Sequence, residues 1–186
     1  MINYYKNQFC RLCRSRKMRN VFNLNPSPLA NAFRKNILIQ NKHYPLNIYL
    51  CLDCKHLQLV NIINPKILFS NYLYSSGASQ VYIDHLKNYS DSLIKKYDLN
   101  NKIDSICDIG SNDGTFLHFF KKKGFKVLGI EPSRNLSTIS KKRGIKTKNN
   151  FFDSRFVILN NKLLKSFKVI TTNHVFAHVK NIQDFT

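Results

Sequence analysis

Four cysteines stand in two C-x-x-C pairs, Cys10 with Cys13 in CRLC and Cys51 with Cys54 in CLDC. Two thiolates from each pair, converging, make the four-sulfur tetrahedral set that Zn²⁺ takes in structural sites. The gap between the pairs exceeds the ~15–20 residues of the commonest two-pair pattern. Spacing alone therefore leaves iron or a redox pair open. Neither pair falls at a strand-to-helix junction, where a thiol oxidoreductase carries its cysteines, and zinc is the reading the residues favour. His43 and His56 are spare nitrogen ligands, but four cysteines already complete a closed site. Such a site holds up a module too small to have much core of its own. The fifth cysteine, Cys107, sits inside a hydrophobic run and reads as a small buried residue.

A second constellation lies in SICDIGSNDGTFLHFF, residues 105–120. A hydrophobic strand enters a small polar turn and leaves as a helix. The dinucleotide fingerprint G-x-G-x-x-G does not fit, because Asn112 stands where its middle glycine would be. The pattern present is D-x-G-x-N-x-G, from Asp108 through Gly110 and Asn112 to Gly114, with Asp113 beside it. An acid ending a strand can accept a hydrogen bond from a ligand ammonium or a turn amide, and glycines let the backbone pass close beneath a ligand. These are the needs of S-adenosylmethionine, which carries an amino acid group and no pyrophosphate. Glu131 ends the next strand, VLGIEPS, where a carboxylate can chelate both ribose hydroxyls. NAD sites place an acid ~20 positions on as well, so the turn discriminates and Glu131 alone does not. The plain alternative is a strand-turn-helix junction with incidental acids. Asn173 in TTNHVFAHV ends a later strand and would face the same crevice. His174 and His178, four apart, would share a face of the following helix. A third metal ligand is missing, so His178 reads better as a proton acceptor lining a substrate pocket.

These residues need elements to position them. From Met1 to about Ser70 the chain is punctuated by prolines, with short strand-like runs around Ile48 to Leu50 and Leu57 to Ile62, and reads as a loop-rich module over 1–70. Residues 71–101 form a connecting segment. In it Val81, Ile83, Leu86, Tyr89, Leu93, Ile94 and Tyr97 recur at helical spacing and predict one helix with an apolar face. From 102 to 186 strand and helix alternate: KIDSICDIG, a helix ended by Gly124, FKVLGIEP, a helix ended by Gly144, IKTKNNFF, a helix in DSRFVILNNKLLKS, the strand FKVITTN and a helix from HVFAHVKNIQDF. This alternation predicts an α/β fold with a parallel sheet, helices on its faces and ligands at the carboxyl ends of its strands.

With 43% apolar residues, including 14 Phe and 9 Tyr, the chain can build a packed core, which excludes a disordered polymer. Thirty basic against ten acidic residues give a net charge of +20, which on its face suggests a polyanionic partner. Lys and Asn are scattered throughout, however, as a coding bias would scatter them, and no block of five like charges occurs. Dedicated nucleic-acid binding is therefore not the expected role. The N-terminus has no apolar signal region and no stretch approaches the ~18 apolar residues of a membrane span, so a cytoplasmic protein with reduced thiols and no membrane partner is expected.

Taken in order, CRLC, PLANAF, YPLNIYLCLDCKHLQL, LFSNYLYSSGASQVYIDH and CDIGSNDGTFL with VLGIEPS and NHVFAHV resemble the sugar C-methyltransferases of deoxysugar biosynthesis over nearly the whole chain. The resemblance implies an N-terminal zinc module on Cys10, Cys13, Cys51 and Cys54, followed by an incomplete Rossmann-like class I methyltransferase sheet. It implies S-adenosylmethionine at Asp108, Gly110, Asn112, Asp113, Gly114, Glu131 and Asn173. Tyr72 and Tyr74 would approach the substrate, a nucleotide-linked 4-keto sugar, and His178 would face it. Members of the family continue beyond the position matching Thr186, with a further segment that supplies the base. The resemblance thus marks an N-terminal fragment or half of a split enzyme, completed by a second chain. The competing class is a zinc-ribbon RNA-binding protein or RNA methyltransferase, favoured by the charge and by aromatic residues interleaved with Lys and Arg.

Overall fold

The computed structural model describes residues 4–30, 32, 33, 36, 38–163 and 165–186. Asn31 of the PLANAF stretch and Leu164 of the predicted helix after Asp153 lie outside them, as do the first three residues. The chain divides into two compact units, one of residues 4–69 with 180–184 and 186, the other of 70–179 with 185.

The first unit contains strands β1 (Tyr4–Lys6), β2 (Met18–Pro28), β3 (His43–Cys51), β4 (Leu57–Leu59) and β5 (Asn61–Ile63), and a short helix α1 (Pro65–Phe69). All pairings are antiparallel, β1 with β5 and β2-β3-β4 as a second sheet. The long strand β2 departs from the loop-rich expectation. Its residues are almost all exposed, and its register slips twice, between Asn20 and Phe22 and between Leu24 and Ser27. With both faces wet there is no apolar alternation to read, and an edge position tolerates Pro26 and Pro28.

The second unit opens with the turn Ser76–Ala78 and helix α2 (Gln80–Lys96), capped by the Ser79 hydroxyl, which accepts from the Tyr82 amide. Then come β6 (Ser105–Ile109), α3 (Thr115–Lys122), β7 (Lys126–Ile130), α4 (Arg134–Lys142), β8 (Thr147–Lys148), α5 (Ser154–Leu159) and β9 (Val169–Thr171), and the chain ends in α6 (Ile182–Phe185), whose first three residues belong to the first unit. The four strands are parallel in the order β8-β7-β6-β9. Alternation along β6 feeds two cores. Ile106 joins Leu86, Leu93, Phe116, Leu117 and Phe120 from α2 and α3, while Cys107 and Ile109 join Leu128, Ile130 and Phe156 on the other face. Cys107 is buried as expected, and that burial pushes its thiol up to about 12. The apolar face of α2 is narrower than its spacing predicts, since Val81 is 81% and Tyr97 50% exposed.

Two expectations near the end of the chain are corrected. Strand β9 stops at Thr171, so Asn173 lies two residues beyond it. No continuous helix follows. His174 takes a left-handed φ of 56°, only Phe176–His178 makes a 3₁₀ turn, and α6 is a separate four-residue helix. His174 and His178 therefore do not share a helical face.

Candidate metal centre and cofactor site

Both cysteine pairs adopt one local design. The Arg14 amide donates to the Cys10 carbonyl and the Lys55 amide to the Cys51 carbonyl, each at 3.0 Å. Arg14 and Lys55 both sit at left-handed φ, 65° and 64°, which turns each chain back toward its own sulfurs. The Cys10 amide then bonds the Ser15 carbonyl at 2.8 Å and the Cys51 amide the His56 carbonyl at 2.9 Å. Strand pairing brings the two knuckles together, because Met18 registers with Cys51. All four sulfurs lie within 4.8 Å of one another, with 3.5 Å between Cys10 and Cys54 and 3.6 Å between Cys13 and Cys51. A Zn²⁺ ion with ~2.3 Å bonds to sulfur needs a tetrahedron of edge ~3.8 Å. The four cysteines fit the ion in chemistry and in size. The backbone amides of Cys54 and Asp53 bring the Cys51 thiol down to about 6, while burial and the neighbouring cysteines push Cys54 up to about 12. His43 and His56 are not part of this cluster. Sequence reasoning missed Gln58, 5% exposed, whose side chain accepts from the Arg11 amide at 2.9 Å and braces the first knuckle.

In the second unit the order β8-β7-β6-β9 places β7 and β8 on one side of β6 and β9 on the other, so the order of strand addition switches between β6 and β9. Doubly wound sheets bind ligands at such a switch point, outside the carboxyl ends of the strands. Asp108 stands there, 4% exposed, its Oδ1 accepting from the Thr171 hydroxyl at 2.7 Å across the switch. Burial, with a smaller push from Glu131, raises its carboxyl to about 7. Gly110 and Gly114 take φ of 72° and 79°. A Cβ on Gly110 would come within 2.3 Å of Val175 Cγ2, so only glycine lets the segment after β9 lie on the turn. Gly110 and Ser111 donate their amides to the Ile130 carbonyl at 2.8 and 3.2 Å, which ties the turn to the end of β7.

Glu131 follows β7 and is 5% exposed. Its Oε2 accepts from the Asn112 amide at 2.7 Å and its Oε1 from the Ser133 amide at 2.8 Å. Burial raises its pKa, against the pull of those two amides. Each oxygen retains one lone pair, enough for two ribose hydroxyls. The buried acids beside a glycine turn thus fit the ammonium and the ribose of S-adenosylmethionine.

The remaining sequence candidates point elsewhere. Asn112 Oδ1 accepts from the Ser76 amide at 2.9 Å, and its Nδ2 donates to the Tyr74 carbonyl at 3.1 Å. Asp113 is fully buried, accepting from the Ser75 hydroxyl at 2.5 Å, the Gly77 amide at 2.9 Å and the Thr115 hydroxyl at 2.7 Å, with Arg143 at 3.1 Å. Burial alone would raise its pKa, but these donors together hold it below its ordinary value. Arg143, far along the chain at the end of α4, has no sequence signal. Tyr72 is half-buried and Tyr74 47% exposed. Tyr82 on α2 was also missed, and its phenol is raised by burial and by the neighbouring Tyr74 and Asp108. His178 is exposed at the end of its 3₁₀ turn, its amide bonded to the Val175 carbonyl at 2.8 Å.

A four-cysteine metal module and a Rossmann-like sheet with an acid-flanked glycine turn define the architecture of a class I methyltransferase with an appended zinc-binding domain. The sequence families agree with it. Residues 79–185 match the family described as "Methyltransferase domain", and residues 10–69 the one described as "Putative zinc binding domain". The chain belongs to this methyltransferase family. It is 28% identical over 144 residues to the C-methyltransferase NovU of Streptomyces niveus, covering 74% of this chain and 33% of that protein, so it spans about a third of this curated relative. Similar solved structures include the magnesium protoporphyrin IX methyltransferase of Synechocystis PCC 6803 with bound SAM, at 12% identity and TM-score 0.37, covering 53% of this chain and 49% of that one. Another is the plantazolicin methyltransferase in complex with SAH, at 20% identity and TM-score 0.40, covering 52% and 37%. Among the described residues no helix is long and apolar enough to cross a membrane.

Proposed function

We propose that this chain supplies the metal module and the cofactor-binding part of a C-methyltransferase that acts on a nucleotide-linked deoxy keto sugar. The observation that carries the reading is the pair of buried carboxylates, Asp108 and Glu131, at the carboxyl ends of adjacent strands beside a glycine turn at the switch point. When bound there, S-adenosylmethionine supplies a methyl group activated on a sulfonium. Asp108 holds the ammonium end, directly or through a turn amide, and its burial strengthens that attraction. Glu131 holds the ribose hydroxyls, Gly110 and Gly114 let the backbone approach, and Asn112, Asp113 and Asn173 shape the crevice. Tyr72 and Tyr74 face the sugar, and His178 takes the proton from the carbon next to its keto group. That carbon needs a positioned base and a donor near the developing oxyanion. The C-methyltransferase relative supports methyl transfer to carbon, and the sugar substrate rests on the resemblance of the sequence motifs. A second chain or further segment would complete the acceptor side. Five free cysteines suit a reducing cytoplasm.

A second reading, RNA methylation or binding, has one observation in its favour. A groove of about 950 Å³ at the amino ends of the strands is lined by Lys121, Lys126, Lys146, Lys148 and Lys162 and by no acid. Titration calorimetry with S-adenosylhomocysteine tests the first reading. Micromolar binding by the folded chain, lost by at least about tenfold in Asp108→Ala and Glu131→Ala, is the expected result. Binding untouched by both substitutions would overturn the site. RNA affinity that falls steeply with salt would favour the second reading.

A further inference from the structure

Glu131 does more than end a strand. Each of its oxygens holds the backbone amide of a residue whose side chain grips the Tyr72–Gly77 segment. From Oε2 the path runs to Asn112, which bonds the Ser76 amide and the Tyr74 carbonyl. From Oε1 it runs to Ser133, whose Oγ accepts from the Tyr72 amide at 3.0 Å. Asn135 closes the same grip, accepting from the Tyr72 amide at 3.2 Å and donating to the Tyr72 carbonyl at 2.7 Å. Asp113, braced by Arg143, holds Ser75 and Gly77. The segment has no regular hydrogen bonding of its own before the Ser76–Ala78 turn, so these side chains define its path. A Cβ on Gly77 would lie 2.8 Å from Asp113 Oδ2 and 2.9 Å from Arg143, so a larger residue there would push these side chains aside.

We propose that Asn112, Ser133 and Asn135 are positioning residues that transmit cofactor occupancy at Glu131 to the tyrosine segment, so that cofactor binding tightens the hold on the acceptor face. The inference rests on the cofactor reading of Glu131. Ribose hydroxyls donating to both oxygens fix the carboxylate, which fixes the two amides, and the side chains of those residues then hold Tyr72 to Ser76 more tightly. A ligand shifts an equilibrium only by its differential affinity for the two states. Here the difference is the ordered against the loosened segment, and order gained at one end is order the second substrate need not supply.

The test is hydrogen exchange of the Tyr72 and Ser76 amides by NMR on the whole chain, with and without S-adenosylhomocysteine, beside a binding isotherm. The expected result is exchange slowed about tenfold at both amides on saturation, with β6 unchanged. In Asn135→Ala the slowing at Tyr72 should vanish while affinity stays within about threefold, and Asn135→Asp, which keeps the acceptor, should restore part of it. A merely structural role would change exchange equally with and without ligand. Binding without any change at Tyr72 and Ser76 would overturn the transmission and leave the cofactor site standing. Absence of binding by the folded chain would overturn the cofactor reading and this inference with it. Arg143→Gln, which loosens Asp113 from behind, gives a second variant, expected to speed exchange at Gly77 in the free chain.

Discussion

The two units solve the same problem by opposite means. The sheet unit buries two apolar clusters, with Ile106, Leu117 and Phe120 wholly inaccessible. The cysteine unit buries little beyond Cys10, Cys51, Tyr44, Val60 and Ile62, and leaves Val21, Phe22 and Leu24 of β2 exposed. A module with so small a core cannot offset its chain entropy by burial alone, so its order must come from the four-sulfur site. Folding of one unit is a metal equilibrium, while folding of the other is a packing equilibrium.

That contrast can be broken most severely at the metal. Cys51→Ser, or chelation, should reduce zinc from close to one per chain to none. The loss, of order ~10–16 kcal/mol of apparent binding free energy, should abolish exchange protection over β2 and β3 while α3 and β6 keep theirs. Zinc analysis and exchange mass spectrometry read both. Loss of protection in both units would show that the contrast is false. The converse substitution is Phe120→Ala, which empties a fully buried ring position against Phe116 and Phe125. It should cost ~3–5 kcal/mol and lower the Tm of the sheet unit by more than about 10 °C, with zinc content unchanged.

A smaller effect sharpens the comparison further. Asp108 titrates at about 7 in the fold, against ~3.9 in an unfolded chain. The folded state therefore binds the proton more tightly, and the stability this gives below pH ~4 is lost as pH rises through 7. Denaturant midpoints of the sheet unit should fall between pH 5 and pH 8, by up to a few kcal/mol in free energy, on the order of 1.4 per unit of pH. Asp108→Asn should flatten most of that slope and leave the cysteine unit's pH dependence unaltered. An unchanged slope would mean that the buried carboxyl titrates normally.

What could be read from the residues alone was whatever depends on local chemistry. Cys10, Cys13, Cys51 and Cys54 declare themselves by type and spacing, and the SICDIGSNDG stretch shows its strand, turn and helix start because hydrophobic run, glycines and amphipathic face follow one another. The family resemblance implied the order of zinc module and methyltransferase sheet, and both are found. What stayed hidden depends on partners distant in sequence. Strand β2 shows no alternation because neither face is buried. His174 ends a helical pattern that spacing alone would continue, since a left-handed φ at a histidine leaves no mark in hydropathy. Asn112 and Asp113 sit in the glycine-turn motif, but their side chains hold a segment some 36 residues earlier. Arg143 and Tyr82 lie outside any motif, and only packing shows what they touch.

The pairing of Met18 with Cys51 has a consequence for how this module can vary. Both knuckles are anchored at the closed base of the β2–β3 ribbon, so the sulfur geometry is set before the chain reaches Pro28 and again after it leaves His43. The sequence between those points, residues 29–42, holds no Cys, His, Asp or Glu, and each doubling of a loop's length costs only about 0.6 kcal/mol in closure entropy. A peptide inserted at that tip should therefore leave the zinc content of the base unchanged.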